Sequence, residues 1–288
     1  MSVQYVENGG GKLLVEVRGE AGAPLIICSP GIGDFRTAYH AVADQLVAAG
    51  YRVAIIDLRG QGDASLGFTS YGDEETASDY IRVAETLVAS SENKRVVLAG
   101  ASMSGGAAAI AAGRRPDLVA GIITLGGFLR NGSVGPVLRF IMNLMFLRPW
   151  GPWMWKMYAA TLWPGLDAEA AKTRAQASSD SLTRPGRWAA FQELMSTLDH
   201  DKDVAPWLPK VKQHPALVVV GSKDPDWSKP LEEAAWVASN FAPSPATSTL
   251  VVEGAGHAPQ YENPAVVGPE MVRFVNALRQ GDGFKAAA

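Results

Sequence analysis

Ser102 lies in the stretch Arg95 to Ile110, RVVLAGASMSGGAAAI, where an apolar run reaches Gly100 and an alanine-rich helical segment follows. This pattern predicts a strand, a sharp turn and a helix. A serine at such a turn is held out of its strand in a strained conformation, its hydroxyl exposed and the following N–H aimed at a substrate oxygen. Ser102 is therefore a candidate nucleophile; the register that would use Ser104, with Gly106 two positions on, fits the end of the strand less well. A serine hydroxyl is a weak nucleophile until a base takes its proton, and histidine has the pKa for that task near neutrality. Of the four histidines, His40 falls in a predicted helix, while His200 and His214 flank a helical stretch in polar surroundings, as solvated or locally bonded side chains would. His257 follows the last apolar run in LVVEGAGHAPQYENP, a glycine-rich loop returning from the carboxyl edge of the predicted sheet, where ligands bind in such architectures. The acid that would orient its imidazole comes from ALVVVGSKDPDW, in which Asp224 and Asp226 are chemically equal candidates.

The elements that must position these groups are legible as apolar periodicity. Val3 to Val17 alternates apolar and polar residues around Gly9-Gly10-Gly11, which predicts an antiparallel hairpin at a sheet edge. Short apolar runs follow at Leu25–Cys28, Val53–Ile56, Val96–Ala99, Ile122–Leu125, Leu217–Val220 and Leu250–Val252. Helix-like segments separate them, at Ala38–Ala49, Ala77–Val88, Glu233–Phe241 and Val266–Leu278. Strands alternating with helices imply an α/β domain with a mostly parallel sheet covered on both faces. The rhythm stops between about Gly132 and Lys212, where a helical stretch carries Trp150, Trp153, Trp155, Trp163 and Trp188, most of them expected to pack the stretch on itself and on the sheet. Its most apolar part, Phe140 to Trp155, is broken by Asn143, Arg148, Pro149, Gly151 and Pro152 within the roughly 20 residues a membrane span needs, so no span is expected.

Composition narrows the partners. The 288 residues are 47% hydrophobic and 19% charged with a net charge of −3, a globular balance with no general attraction to nucleic acid or acidic membranes. Cys28, the only cysteine, ends an apolar run and is expected to be a buried core residue. The N-terminal residues have no basic segment leading into an apolar one, which makes a cytoplasmic location the expectation, and the final KAAA, residues 285–288, reads as a vector-derived tail.

AGASMSGGAA resembles the nucleophile elbow of the α/β-hydrolase superfamily, G-x-S-x-G after a hydrophobic strand, with Ser104 in place of the last glycine. Two readings compete for Ser29-Pro30-Gly31-Ile32-Gly33-Asp34. One is the family's H-G-x-G turn with Pro30 for histidine; the other is a dinucleotide-binding loop with Arg36 for the third glycine and Asp57 as the ribose-binding acid. In the hydrolase reading the resemblance implies that the N–H groups of Ile32 and Met103 form an oxyanion hole. DLRGQGDAS, Asp57 to Ser65, resembles the turn after the family's next strand and is given a structural role, with Asp63 or Arg59 as minor active-site candidates. Gly254, Gly256, His257, Glu262 and Pro264 fit the family's histidine loop, and Asp224 fits its G-x-x-D-P loop.

The resemblance therefore implies the catalytic residues Ser102, Asp224 and His257 on an α/β-hydrolase fold with an eight-stranded, mostly parallel sheet. Its core would comprise residues 1–131 and 213–284, with residues 132–212 as an inserted helical cap. The implied function is hydrolysis of an ester or related acyl carbonyl of a small, largely apolar substrate through an acyl-enzyme, with no cofactor and no metal. Carbon-carbon bond hydrolysis, thioester hydrolysis and acyl transfer use the same constellation, and a low-turnover ligand receptor retaining the triad is the alternative of another class.

Overall fold

A computed structural model describes residues 1–89, 91–132 and 144–285. The expected hairpin is β1 (Ser2–Asn8) and β2 (Gly11–Arg18), paired antiparallel with Asn8 opposite Gly11. Each of the six apolar runs is a strand: β3 (Leu25–Ser29), β4 (Arg52–Ile56), β5 (Val96–Ala101), β6 (Val119–Leu125), β7 (Ala216–Gly221) and β8 (Ser248–Val252). The order across the sheet is β1-β2-β4-β3-β5-β6-β7-β8, antiparallel as far as the β2–β4 pair and parallel from β4 to β8.

Among the described residues, eight helices have nine or more residues. They are α1 (His40–Ala48), α2 (Asp73–Val88), α3 (Met103–Arg114), α4 (Gly151–Ala159), α5 (Ala168–Thr183), α6 (Arg187–Thr197), α7 (Pro230–Ala238) and α8 (Pro264–Gln280). Helix α2 starts four residues before the apolar stripe predicts, because Asp73, Glu74 and Glu75 fill its first turn, where carboxylates meet the positive end of the helix dipole. Helix α7 starts early for a related reason: Pro230 suits the first helical position, whose N–H has no intrahelical partner.

Strand side chains point alternately to the two faces, and the sequence supplies apolar residues for both. Val96 and Leu98 of β5 join a core with Tyr80 of α2 and Ile110 of α3, whereas Val97, Ala99 and Ala101 join a second core with Leu46 of α1 and Phe274 of α8. Cys28 belongs to this second core and is buried and unpaired. The residues between β6 and β7 form no strand among those described and build a third cluster from Phe146, Trp155, Trp163, Trp188 and Phe191. Two of the five tryptophans depart from the packing expected of them, since Trp150 and Trp153 are 51% and 61% exposed. No helix among the described residues is long and apolar enough to cross a membrane. Residues 140–143 of the run Phe140–Trp155, and residues 286–288 of the terminal tail, lie outside the described residues.

The connection from β3 leads through α1 to β4 on one side, while that from β5 leads through α3 to β6 on the other. The carboxyl ends of β3 and β5 therefore diverge and leave a crevice between their loops. Ile32 follows β3 and Ser102 follows β5 at this crevice; the loops after β7 and β8 bring Asp224 and His257 to the same edge.

Candidate active site

Ser102 occupies the turn between β5 and α3 with φ 55° and ψ −130°, one of two non-glycine residues at positive φ among those described. Such a conformation costs on the order of 1–3 kcal/mol and persists only where the surroundings fix it. They do so here: Ser102 N–H donates to the Leu125 carbonyl at 3.0 Å, and the Ser102 carbonyl accepts from Gly105 and Phe128 N–H at 3.0 and 3.1 Å. Gly100 has no room for a side chain, because a Cβ there would be driven into the Ser104 backbone. At Gly31 a Cβ would lie 2.7 Å from that of Ser102, so the loop after β3 passes directly against the serine. The Ile32 and Met103 N–H groups have no acceptor among the described residues, and both residues line the cavity that Ser102 lines.

Asp224 and His257 are buried, and the histidine Nδ1 donates to both Asp224 oxygens at 3.1 and 2.9 Å. Of the two acids in the loop, Asp224 is thus the one that fixes the tautomer. Asp226 sits on the other side of the ring, its carboxylate 3.4 Å from Nε2 and held by the Tyr158 hydroxyl of α4. Burial works against the charged form of His257, but Asp224 and Asp226 outweigh it and push its pKa up to about 10. Ser102 Oγ and His257 share the cavity without a hydrogen bond between them; catalytic hydrogen bonds in ligand-free enzymes are often long and tighten with substrate. Asp224, Asp226 and His257 are also the only group among the described residues with ligand atoms close enough for a metal, all within 4.8 Å. The imidazole ring lies between the two carboxylates, with Nδ1 on Asp224 and Nε2 facing Asp226.

Glu262 holds the histidine loop in place. Its carboxylate accepts from the N–H groups of Gly256 and Ala258 at 2.8 and 3.1 Å and from Gly165 of the insertion at 2.8 Å, while His257 N–H donates to the Leu162 carbonyl at 2.8 Å. The insertion also grips the loop after β3. Arg174 of α5 pairs with the partly buried Asp34 carboxylate, and Ser178, which accepts from the Trp155 indole at 2.8 Å, donates to the Gly33 carbonyl. Arg174 is itself sandwiched by aromatic rings, 3.5 Å from the centroid of Tyr261 and 5.1 Å from that of Trp163.

This packing decides between the two readings of that loop. Trp155 fills the space beside Gly33 that a pyrophosphate would need. The carboxylate of Asp57 is engaged by Arg36 and by the Asp63 N–H at 2.8 Å, so the dinucleotide reading fails. Arg59 pairs with Asp79 through two bonds of 2.8 Å, and neither it nor Asp63 lines the cavity.

The cavity above Ser102 has a volume of about 230 Å³ and a mainly apolar wall that includes Phe128, Phe146, Trp155 and Leu162. Two histidines differ from the solvated or locally bonded state expected of them. His214 is buried away from the cavity, and desolvation lowers its pKa to about 4. His200 is also buried, but it lines the cavity, with Nδ1 2.8 Å from Asp73 of α2 and its ring stacked on Phe128 at 5.4 Å.

Residues 26–269 match the family model described as the alpha/beta hydrolase family. The chain belongs to the alpha/beta hydrolase family. Comparison with curated proteins found no match. Among solved structures, the chain is similar to a thermophilic esterase from Thermogutta terrifontis, with 21% identity, coverage of 96% of this chain and 99% of the other, and a TM-score of 0.75. The enol-lactonase from Burkholderia xenovorans LB400 gives 22%, 95%, 100% and 0.77 for the same quantities, and the bromoperoxidase from Bacillus anthracis 18%, 96%, 100% and 0.77. These likenesses show the fold.

Within the alpha/beta hydrolase elbow, the last glycine of G-x-S-x-G is replaced by Ser104, which is fully buried. Its hydroxyl donates to the Pro30 carbonyl at 2.7 Å and shares a hydrogen bond with Ser29 Oγ at 3.0 Å. The position thus asks for more than small size, because it ties the elbow to the loop carrying Ile32. Ser104→Ala is expected to cost about 1 kcal/mol, or about 2–4 °C in Tm. It is also expected to lower kcat for a simple ester about tenfold, and Ser104→Gly should behave alike. Thermal melts and steady-state kinetics check this; unchanged kcat in both variants would leave Ser104 a space-filling residue.

Proposed function

We propose that this alpha/beta hydrolase is a serine hydrolase acting on an ester or related acyl carbonyl of a small, largely apolar substrate. The strongest support is His257, joined to Asp224 at 2.9 and 3.1 Å and lining a cavity shared with a serine held at φ 55°. Ser102 Oγ would attack the carbonyl while His257 Nε2 accepts its proton, and Asp224 would hold the imidazole through Nδ1. The tetrahedral oxyanion would be met by the N–H groups of Ile32 and Met103. His257 would then return the proton to the leaving alcohol, and water would release the acid by the same steps. A cavity of about 230 Å³ suits a compact acyl group rather than a long chain. Residues 132–212 would serve as the cap, since they supply Trp155, Tyr158 and Leu162 to its wall.

The raised pKa of His257 favours a second reading, a receptor that keeps the triad and turns over slowly, because a protonated imidazole cannot act as the base at neutral pH. A fluorophosphonate probe separates the two. For the hydrolase, the probe is expected to label Ser102, located by peptide mapping, and p-nitrophenyl butyrate to be turned over repeatedly, both faster at pH 9 than at pH 7. One equivalent of p-nitrophenol with no further release at either pH would support the receptor.

A further inference from the structure

His200 is fixed on three sides. Its Nδ1 is 2.8 Å from Oδ2 of Asp73, its backbone N–H donates to Asn131 Oδ1 at 3.0 Å, and its ring is stacked on Phe128. Asn131 is itself held by a 2.7 Å bond from Nδ2 to Asp199. A carboxylate only accepts, so Nδ1 carries the hydrogen, and the tautomer this bond selects has Nε2 as an acceptor. Nε2 has no partner among the described residues and is not sealed inside the protein, while the ring lines the cavity that Ser102 and His257 line. The other face of that arrangement is Phe128, whose ring lies 5.8 Å from His257, so a single aromatic ring separates the two imidazoles. A polar side chain oriented this firmly in a mainly apolar wall has the form of a recognition group.

We propose that His200 recognises a hydrogen-bond donor on the substrate, so that the preferred substrate is a compact, neutral ester bearing a hydroxyl or amide N–H away from the reacting carbonyl. This rests on Ser102 being the acyl acceptor. The Asp226 carboxylate in the same wall disfavours an anionic substrate and the mainly apolar lining disfavours a charged donor, which leaves a neutral donor as the match to the Nε2 lone pair. A site that hydrogen-bonds a substrate hydroxyl discriminates against the analogue that lacks it, since the site's own polar atom is then buried without a partner.

Two matched series test the proposal. One compares p-nitrophenyl ω-hydroxyalkanoates with alkanoates of equal heavy-atom count; the other compares monobutyrates of α,ω-diols with butyrates of n-alcohols. In one series a chain length is expected at which the hydroxyl compound has a kcat/KM about tenfold to a hundredfold above its alkyl match. His200→Phe, which keeps a ring against Phe128, is expected to abolish that ratio by lowering kcat/KM for the hydroxyl compound far more than for its alkyl match. If Asp73, left unpaired, prevents folding, His200→Phe with Asp73→Ala reads the same ratio. No preference for the hydroxyl in either series, or a preference that survives His200→Phe, overturns the proposal. The alkyl esters report separately on the hydrolase reading. Should they not be turned over, calorimetry with ω-hydroxyalkanamides and alkanamides still reads the contribution of His200, as a difference in Kd between wild type and His200→Phe.

Discussion

Ser102→Ala is expected to lower kcat for p-nitrophenyl butyrate about ten-thousand-fold or more, with KM changed little, because the hydroxyl is the only atom removed and makes no hydrogen bond that the fold depends on. Alanine is also compatible with the site's packing, since the neighbouring Gly31 approaches the serine Cβ that alanine keeps. The φ of 55° costs alanine about what it costs serine, so the variant should fold and its melting temperature should stay close to that of the parent. Kinetics and a thermal melt on the same preparation check both halves. Activity within tenfold of the parent would remove Ser102 from the mechanism and reopen the register that uses Ser104.

The two carboxylates around His257 should respond in opposite ways. Asp224→Asn is expected to reduce kcat about ten-thousand-fold, because an amide can donate to Nδ1 and stabilise the wrong tautomer, leaving Nε2 protonated when a base is needed. Asp226→Asn removes a negative charge from the Nε2 side and leaves the Asp224 bond intact. The base must be neutral, so activity rises with pH through the pKa of His257, which the two acids push up to about 10. Loss of the Asp226 charge lowers that pKa, moves the acid limb of the kcat/KM profile to lower pH, and raises activity at pH 7. The same shift acts on stability. Charged His257 stabilises the fold fully below its unfolded value of 6.5, and this contribution is lost as pH rises towards 10, so Asp226→Asn should lessen that decline. Profiles of kcat/KM and Tm from pH 5 to 11 check both signs; an unmoved limb would mean that Asp226 does not bear on the base.

Strands β3 to β8 were legible as short apolar runs and the edge hairpin by its alternation, and the loops that follow β3, β5, β7 and β8 had to meet at one edge once the sheet was parallel. Ser102 and His257 could be read from that logic, while Asp224 was separable from Asp226 only by resemblance to a motif. What stayed hidden depends on contacts between distant segments. Nothing near His200 in sequence announces Asp73, which is 127 positions away, and Tyr158 meets Asp226 across 68 positions. His200 and His214 read as solvated or locally bonded because their sequence neighbours are polar, yet burial is set by what folds over them. The hydroxyl of Ser104 was equally opaque, since its acceptor is a backbone carbonyl 74 positions back.

The grip of α5 on the loop after β3 ties a helix of the insertion to the backbone that would carry the oxyanion donor at Ile32. Outward movement of that helix would break the Arg174–Asp34 pair and the Ser178 bond to the Gly33 carbonyl, leaving the loop to the Gln61 bond at the Gly33 N–H and the Ser104 bond at the Pro30 carbonyl. With α5 in place, the loop bearing Ile32 is thus held from the insertion and from the sheet domain together. A substrate that fits the insertion poorly pays in turnover as well as in affinity, so substitutions in α5 should appear in kcat even though the helix contributes no reacting atom.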